Sequence, residues 1–295
     1  MTSCKSVLLV FAASLVLSAV SAYAQDRQKN IVYSEVHGVG LIMDVFTPSG
    51  DRNGLAVVDV ISGAWFSGRD KLRDHERVQT FKILCARGYT VFAIRPGSIS
   101  RFSIADMVEH LETGIMWVKK RAQEYEIAPD RIGMMGASAG GHLASLTAVT
   151  NGNSDLHPGN DKATVKAVAV FFPPTDFSIF MQNTGRESTV RIGRMTGQGQ
   201  AKDLSEAEIK QSLLAISPAH RVKQDAPPFL LIHGTADTVV PQRQSEIFQK
   251  ALTQNGVSAE LILKEGGGHP WPTIHEEVAV IADWFDRQLG NERKQ

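Results

Sequence analysis

The chain has 295 residues, with 31 basic and 31 acidic side chains and no net formal charge. That balance leaves no electrostatic footprint for nucleic acid or for an anionic membrane surface. The length suits one large α/β domain, and no Gly/Ser- or Pro-rich spacer, low-complexity tract or internal repeat divides it.

Residues 1–24 read as an export leader. Lys5 gives a positive start, Val7 to Val20 is apolar, and Ala22-Tyr23-Ala24 is an AxA-type cleavage site, so the mature chain is expected to begin at Gln25. The apolar run falls short of the ~20 residues that a membrane span needs. The expectation is an exported chain, periplasmic or secreted, with no stable membrane insertion. Cys4 lies before the apolar run and is not placed for lipid attachment. Its loss leaves Cys85 without an intramolecular disulfide partner, in a stretch where it fills the core.

Past the leader, residues 25–295 alternate strands and helices. Ile31–Val36 and Leu41–Phe46 predict a hairpin around His37-Gly38-Val39-Gly40. Leu55–Ile61 is an apolar strand. Lys71–Arg87 has apolar residues at helical spacing, with Gly88 as its stop. Tyr89–Ile94 is the next strand and Ile104–Tyr125 a long amphipathic helix. Arg131–Met135 is a strand, Gly141–Leu146 opens a helix, and Val165–Phe172 is a strand. A less regular stretch, about 173–226, follows. Phe229–Ile232, Gln242–Asn255, Ala259–Lys264 and His275–Leu289 then read as strand, helix, strand and helix. Such alternation implies a mostly parallel central sheet covered by helices on both faces, with sites at the strand C-terminal ends.

The pentapeptide Gly136-Ala137-Ser138-Ala139-Gly140 lies between a strand and a helix and reads GxSxG, the pattern of a nucleophile elbow. A serine hydroxyl is a poor nucleophile at neutral pH, so it must be held on a tight turn within reach of a base. The expected chain order is then Ser, acid, His. Asp237 follows the strand Phe229–Ile232, and His269 follows Gly266-Gly267-Gly268 after the strand Ala259–Lys264. In this assignment His269 takes the Ser138 proton and Asp237 holds the imidazole. His142, His233 and His275 are weaker bases by position; the first two are expected to be structural. An oxyanion hole would use the N–H of Ala139 and those of Gly63 and Ala64 in the loop Ser62-Gly63-Ala64-Trp65-Phe66-Ser67-Gly68. Trp65, Phe102 and Trp271 are candidates either for a substrate pocket or for the core. No metal-ligand spacing and no dinucleotide-binding glycine motif is found, so no cofactor and no metal are expected.

With these parts assembled, the stretches ISGAWFSG, APDRIGMMGASAGGHLA, VKAVAVFFPPTDF, ISPAHRV, APPFLLIHGTADTVVP and GGGHPWP resemble the α/β-hydrolase superfamily. The nearer likeness is to acetyl- and feruloyl-esterases of the BD-FAE type, the looser one to the catalytic domain of prolyl oligopeptidases. The resemblance implies an α/β-hydrolase fold with a cap at about 173–226, and hydrolysis of short-acyl or feruloyl esters of carbohydrates. Small-molecule or carbohydrate esters are then the partners, without nucleic acid. The cap would carry Phe177, Phe180, Met181, Arg186, Arg191 and Arg194. One departure stands out: Ile61-Ser62 occupies the place of the family's His-Gly before the oxyanion glycines. Two other readings stay open. A peptidase of the prolyl oligopeptidase kind would need access control, yet only about 30 residues lie between the leader and the first parallel strand. A non-catalytic binding module would explain the altered loop but not the intact Ser, Asp and His.

Overall fold

The computed structural model describes residues 25–150, 163–183, 189–198 and 204–291. The leader and Arg186 lie outside them.

The chain opens with β1 (Gln25–Val36), β2 (Val39–Pro48) and β3 (Ala56–Val60), then α1 (Arg69–Arg77), α2 (Thr80–Ala86), β4 (Thr90–Arg95) and α3 (Ile104–Lys120). It continues through β5 (Ile132–Ala137), α4 (Ala139–Thr150) and β6 (Ala167–Phe171) to α5 (Phe177–Asn183), α6 (Thr189–Thr196) and α7 (Glu206–Ala215). It closes with β7 (Phe229–Gly234), α8 (Arg243–Gln254), β8 (Ala259–Lys264) and α9 (Ile274–Leu289). The eight strands form one sheet in the order β1-β2-β4-β3-β5-β6-β7-β8. Pairings from β4 to β8 are parallel, and β1 and β2 run antiparallel at one edge. This is an α/β-hydrolase architecture.

Side chains alternate across each strand, so one strand feeds two cores. Val58, Val60, Met134, Val168 and Leu231 pack on one face with residues of α3, α4 and α8. Val57, Ile61, Met135, Ala169 and Ile232 pack on the other with residues of α1, α2 and α9. Burial on both faces explains why the central strands read as unbroken apolar runs.

Several elements differ from the sequence expectation, and the long helix expected to reach Tyr125 ends at Lys120. The helix expected over Lys71–Arg87 is two helices, because Gln79 takes a left-handed conformation (φ 59°) between α1 and α2. The break lets Phe81 stack on Phe46 with ring centroids 3.9 Å apart. Periodicity does not register a one-residue break when the apolar positions on both sides still face the sheet. The strand expected from Ile31 begins at Gln25, where the polar stretch pairs with β2 and Arg27 bonds the buried Asp44. The stretch expected to be irregular after β6 contains α5, α6, α7 and a 3-10 turn at Pro218–His220. Among these, α7 is announced by a capping box between Ser205 and Glu208.

Candidate active site

Ser138 stands between β5 and α4 with φ 53°, a conformation an L-residue adopts at a cost. The turn is held by its own glycines. A Cβ on Gly136 would lie 2.6 Å from the Gly140 backbone, and one on Gly140 would lie 2.3 Å from the Val60 carbonyl oxygen. The Ser138 N–H donates to the Phe171 carbonyl at 2.9 Å, tying the elbow to β6.

The sheet order brings β7 and β8 beside this elbow. Ser138 Oγ lies 2.9 Å from His269 Nε2, and His269 Nδ1 lies 2.6 Å from Asp237 Oδ2. Three residues separated by up to 131 positions thus form one hydrogen-bonded line. The Asp237 carboxylate accepts the Nδ1–H, which leaves Nε2 to accept the serine proton. The other carboxylate oxygen accepts the backbone N–H groups of Val239 and Val240 at 2.8 and 2.9 Å. Burial alone would raise the Asp237 pKa; hydrogen bonds from His233, His269 and Val240, with the charge of His269, hold it well below the usual carboxylate range. His233 is fully buried, Nε2 on the Val240 carbonyl at 2.8 Å and Nδ1 beside the Ser245 hydroxyl at 2.7 Å. It braces the Asp237 turn.

Glycine lets the acid and base loops cross. A Cβ on Gly234 would stand 2.2 Å from the Gly267 carbonyl oxygen, and that same oxygen accepts the Ala236 N–H at 2.9 Å. The His269 loop is therefore laid directly over the end of β7.

Of the three N–H groups expected in an oxyanion hole, that of Gly63 is engaged elsewhere. Gly63 N–H donates to the Phe66 carbonyl and Phe66 N–H returns to Gly63, both at 2.9 Å. This reciprocal pair closes a tight turn with Ala64 and Trp65 at positive φ (49° and 63°). Gly63 spends its donor on the turn. No backbone acceptor for the Ala64 or Ala139 N–H is found among the described residues, and both residues line the cavity that holds Ser138 and His269. Ile61, where the family's histidine stands, is fully buried in the core.

The loop is braced instead from the elbow helix. Trp65 Nε1–H donates to His142 Nδ1 at 3.0 Å, and His142 Nε2–H donates to the Ile216 carbonyl at 2.8 Å. The bond from Trp65 requires the neutral ring, and burial pushes the His142 pKa down to about 4 against the opposing pull of the Ile216 carbonyl. A helix-borne histidine at this spacing from the serine is the one sequence signal for this brace.

The cavity encloses about 550 Å³ and is largely apolar, with Met135, Ala137, Phe171, Phe172, Ile274 and Val278 among its lining. Trp65 borders it. Phe102 does not: it packs edge-on against His110 and over Gly97. Trp271 also falls outside the lining; its ring meets Phe171 and Phe172, and its N–H donates to Glu277 at 2.7 Å. Both aromatics are core, drawn there because a buried ring with a partner for any N–H gains more than an exposed one. On the far side of Trp65 a smaller hollow of about 370 Å³ is bounded by Phe66, Ile99, Arg191, Arg194 and Met195. Phe177 and Phe180 are both buried: Phe177 contacts Trp65 and Phe180, and Phe180 lines the cavity that holds Ser138. No helix among the described residues is long and apolar enough to cross a membrane.

Comparison with known proteins fits this geometry. The family model BD-FAE matches residues 43–252. A probable carboxylic ester hydrolase of Mycobacterium tuberculosis, LipM, is 31% identical over 276 residues, covering 92% of this chain and 58% of that protein. A probable isoprenylcysteine alpha-carbonyl methylesterase of Oryza sativa subsp. japonica is 30% identical over 256 residues, covering 82% of this chain and 56% of that protein. This chain thus spans less than two thirds of the length of those curated relatives. Among solved structures, a truncated carbohydrate esterase from gut microbiota superposes with a TM-score of 0.76 at 25% identity, over 92% of this chain and 99% of that one. Thermogutta terrifontis esterase 2, phosphoramylated by tabun, superposes with a TM-score of 0.67 at 26% identity, over 92% and 97%.

Proposed function

The chain belongs to the BD-FAE family, and from that premise we propose that it is a serine carboxylic-ester hydrolase acting through Ser138, His269 and Asp237. The observation that carries the reading is the line of hydrogen bonds from Ser138 Oγ through His269 to Asp237, at 2.9 and 2.6 Å. In this reading Ser138 Oγ attacks the ester carbonyl as its proton passes to His269 Nε2. Asp237 stabilises the imidazolium that forms. The N–H groups of Ala64 and Ala139 receive the charge on the carbonyl oxygen. His269 then protonates the departing alcohol, and water, activated by the same histidine, releases the acid.

Short-acyl or feruloyl esters of carbohydrates are the proposed substrates. Two observations favour them: the carbohydrate esterase among the fold neighbours, and a leader-like N-terminus that would carry the chain to where polysaccharide is met. Helices α5–α7 are proposed as the cap over the site, since loops and insertions at the strand ends shape such pockets.

The test is hydrolysis of p-nitrophenyl acetate by the protein and by Ser138→Ala. Turnover is expected to fall by on the order of 10³-fold or more in the variant, since the triad acts as a unit. Undiminished turnover in Ser138→Ala overturns the mechanism.

A further inference from the structure

A second carboxylate–histidine pair opens onto the same cavity. Asp59 lies in β3, a strand otherwise made of alanine and valine in which every residue is buried. A carboxylate there is costly, and a hydrophobic residue of similar size would be at least as stable. One oxygen, Oδ2, lies 2.7 Å from Nδ1 of His75 on α1. The other, Oδ1, is buried with no hydrogen-bond partner among the described residues. A strand-centred charge that is only half satisfied is poor construction for stability alone.

His75 lines the cavity that contains Ser138 and His269. Its Nδ1 is committed to Asp59, and no protein partner for Nε2 is found among the described residues. The other charged groups of α1 at the cavity wall compensate one another, with Asp74 bonded to Arg77 at 2.6 Å and 3.7 Å from Lys71. Burial alone would favour the neutral His75 ring; the charge and hydrogen bond of Asp59, with the charge of Asp74, raise its pKa above the ordinary value. The same cavity is lined by the apolar Met135, Ile274 and Val278. A largely apolar cavity with one fixed ring nitrogen in its wall suits a ligand that is mostly apolar and carries one polar oxygen: Nε2 accepts from a hydroxyl while the ring is neutral and donates once the ring is protonated.

Resting on the esterase reading, we propose that His75, positioned by Asp59, is a specificity residue that receives a distal oxygen, hydroxyl or carboxylate, on the ester whose carbonyl meets Ser138. The oxygen can sit on the acyl or on the alcohol portion; the shared chemistry is one polar oxygen held on an otherwise apolar group.

Matched esters test it. Methyl 4-hydroxycinnamate and methyl 4-carboxycinnamate are compared with methyl cinnamate for the acyl side, and 4-hydroxyphenyl acetate with phenyl acetate for the alcohol side. On one side the ratio of kcat/KM, oxygenated over plain, is expected to be about tenfold above that of His75→Phe, the effect of one hydrogen bond to a substrate. His75→Gln, whose carboxamide keeps both a donor and an acceptor, is expected to recover part of the ratio; a merely structural histidine would not move it. The same esters are also titrated calorimetrically into Ser138→Ala and into the Ser138→Ala, His75→Phe double variant. Discrimination in binding that is lost with His75 supports the proposal even where no turnover is seen, and that pattern would sink the esterase reading alone. Ratios unchanged on both sides in His75→Gln and His75→Phe, with equal binding in the Ser138→Ala pair, overturn it.

Discussion

Replacing His142 with asparagine should change how the protein tolerates acid. His142 is fully buried and neutral, accepting from Trp65 and donating to Ile216. Its pKa in the fold is about 4, against 6.5 ordinarily. Above pH 6.5 the ring is neutral folded and unfolded, and the whole contribution is present. Between 6.5 and 4 the unfolded chain takes up a proton that the fold refuses, so stability is lost as pH falls. At about 1.4 kcal/mol per unit the loss reaches about 3 kcal/mol by pH 4. Asparagine does not titrate there. It keeps an acceptor for Trp65 but leaves the Ile216 carbonyl unpaired, which costs about 2 kcal/mol at neutral pH. Urea unfolding at pH 4, 5, 6 and 7, followed by circular dichroism, reads the difference between the two proteins, so other titrating groups cancel. Wild type should be the more stable by about 2 kcal/mol at pH 7, and the order should close or reverse by pH 4. An advantage that is the same at both ends would refute the buried-neutral assignment, and with it the account of how the Trp65 turn is braced.

Asp237→Asn should lower kcat by about 10³- to 10⁴-fold with little change in KM, because the carboxamide no longer fixes the His269 tautomer; a drop under tenfold would remove Asp237 from the line. Gly234→Ala places a Cβ within 2.2 Å of the Gly267 oxygen, so the His269 loop must lift. A fall in kcat of about 10²-fold, with far-UV circular dichroism retained, is expected from such a displacement. Asp44 is fully buried, bonded to Arg27 at 2.8 Å and lying 3.4 Å from Arg95. Asp44→Ala should cost about 3–5 kcal/mol in urea unfolding, since it strands the buried Arg95, while kcat at 25 °C holds; a loss below about 1 kcal/mol would contradict that charge accounting.

What could be read from the sequence was whatever local sterics and periodicity encode. Glycines two residues either side of Ser138 mark a turn that excludes Cβ atoms. Apolar runs and helical spacing mark the alternation that makes a parallel sheet, and chain order then nominates Asp237 and His269. These features are local, and a backbone obeys them wherever the segment sits. Pairings between distant segments were decided by tertiary structure alone. Whether Gly63 offers its N–H depends on a turn that consumes it. Whether Phe102 and Trp271 reach the cavity depends on what packs beside them, and both found partners in the core. His142 meets Trp65 across 77 positions and Asp59 meets His75 across 16, contacts set by strand order and by the break at Gln79 rather than by any spacing. A hydrogen bond depends on the last ångström of separation, and that ångström is fixed only when the two faces of the sheet are packed.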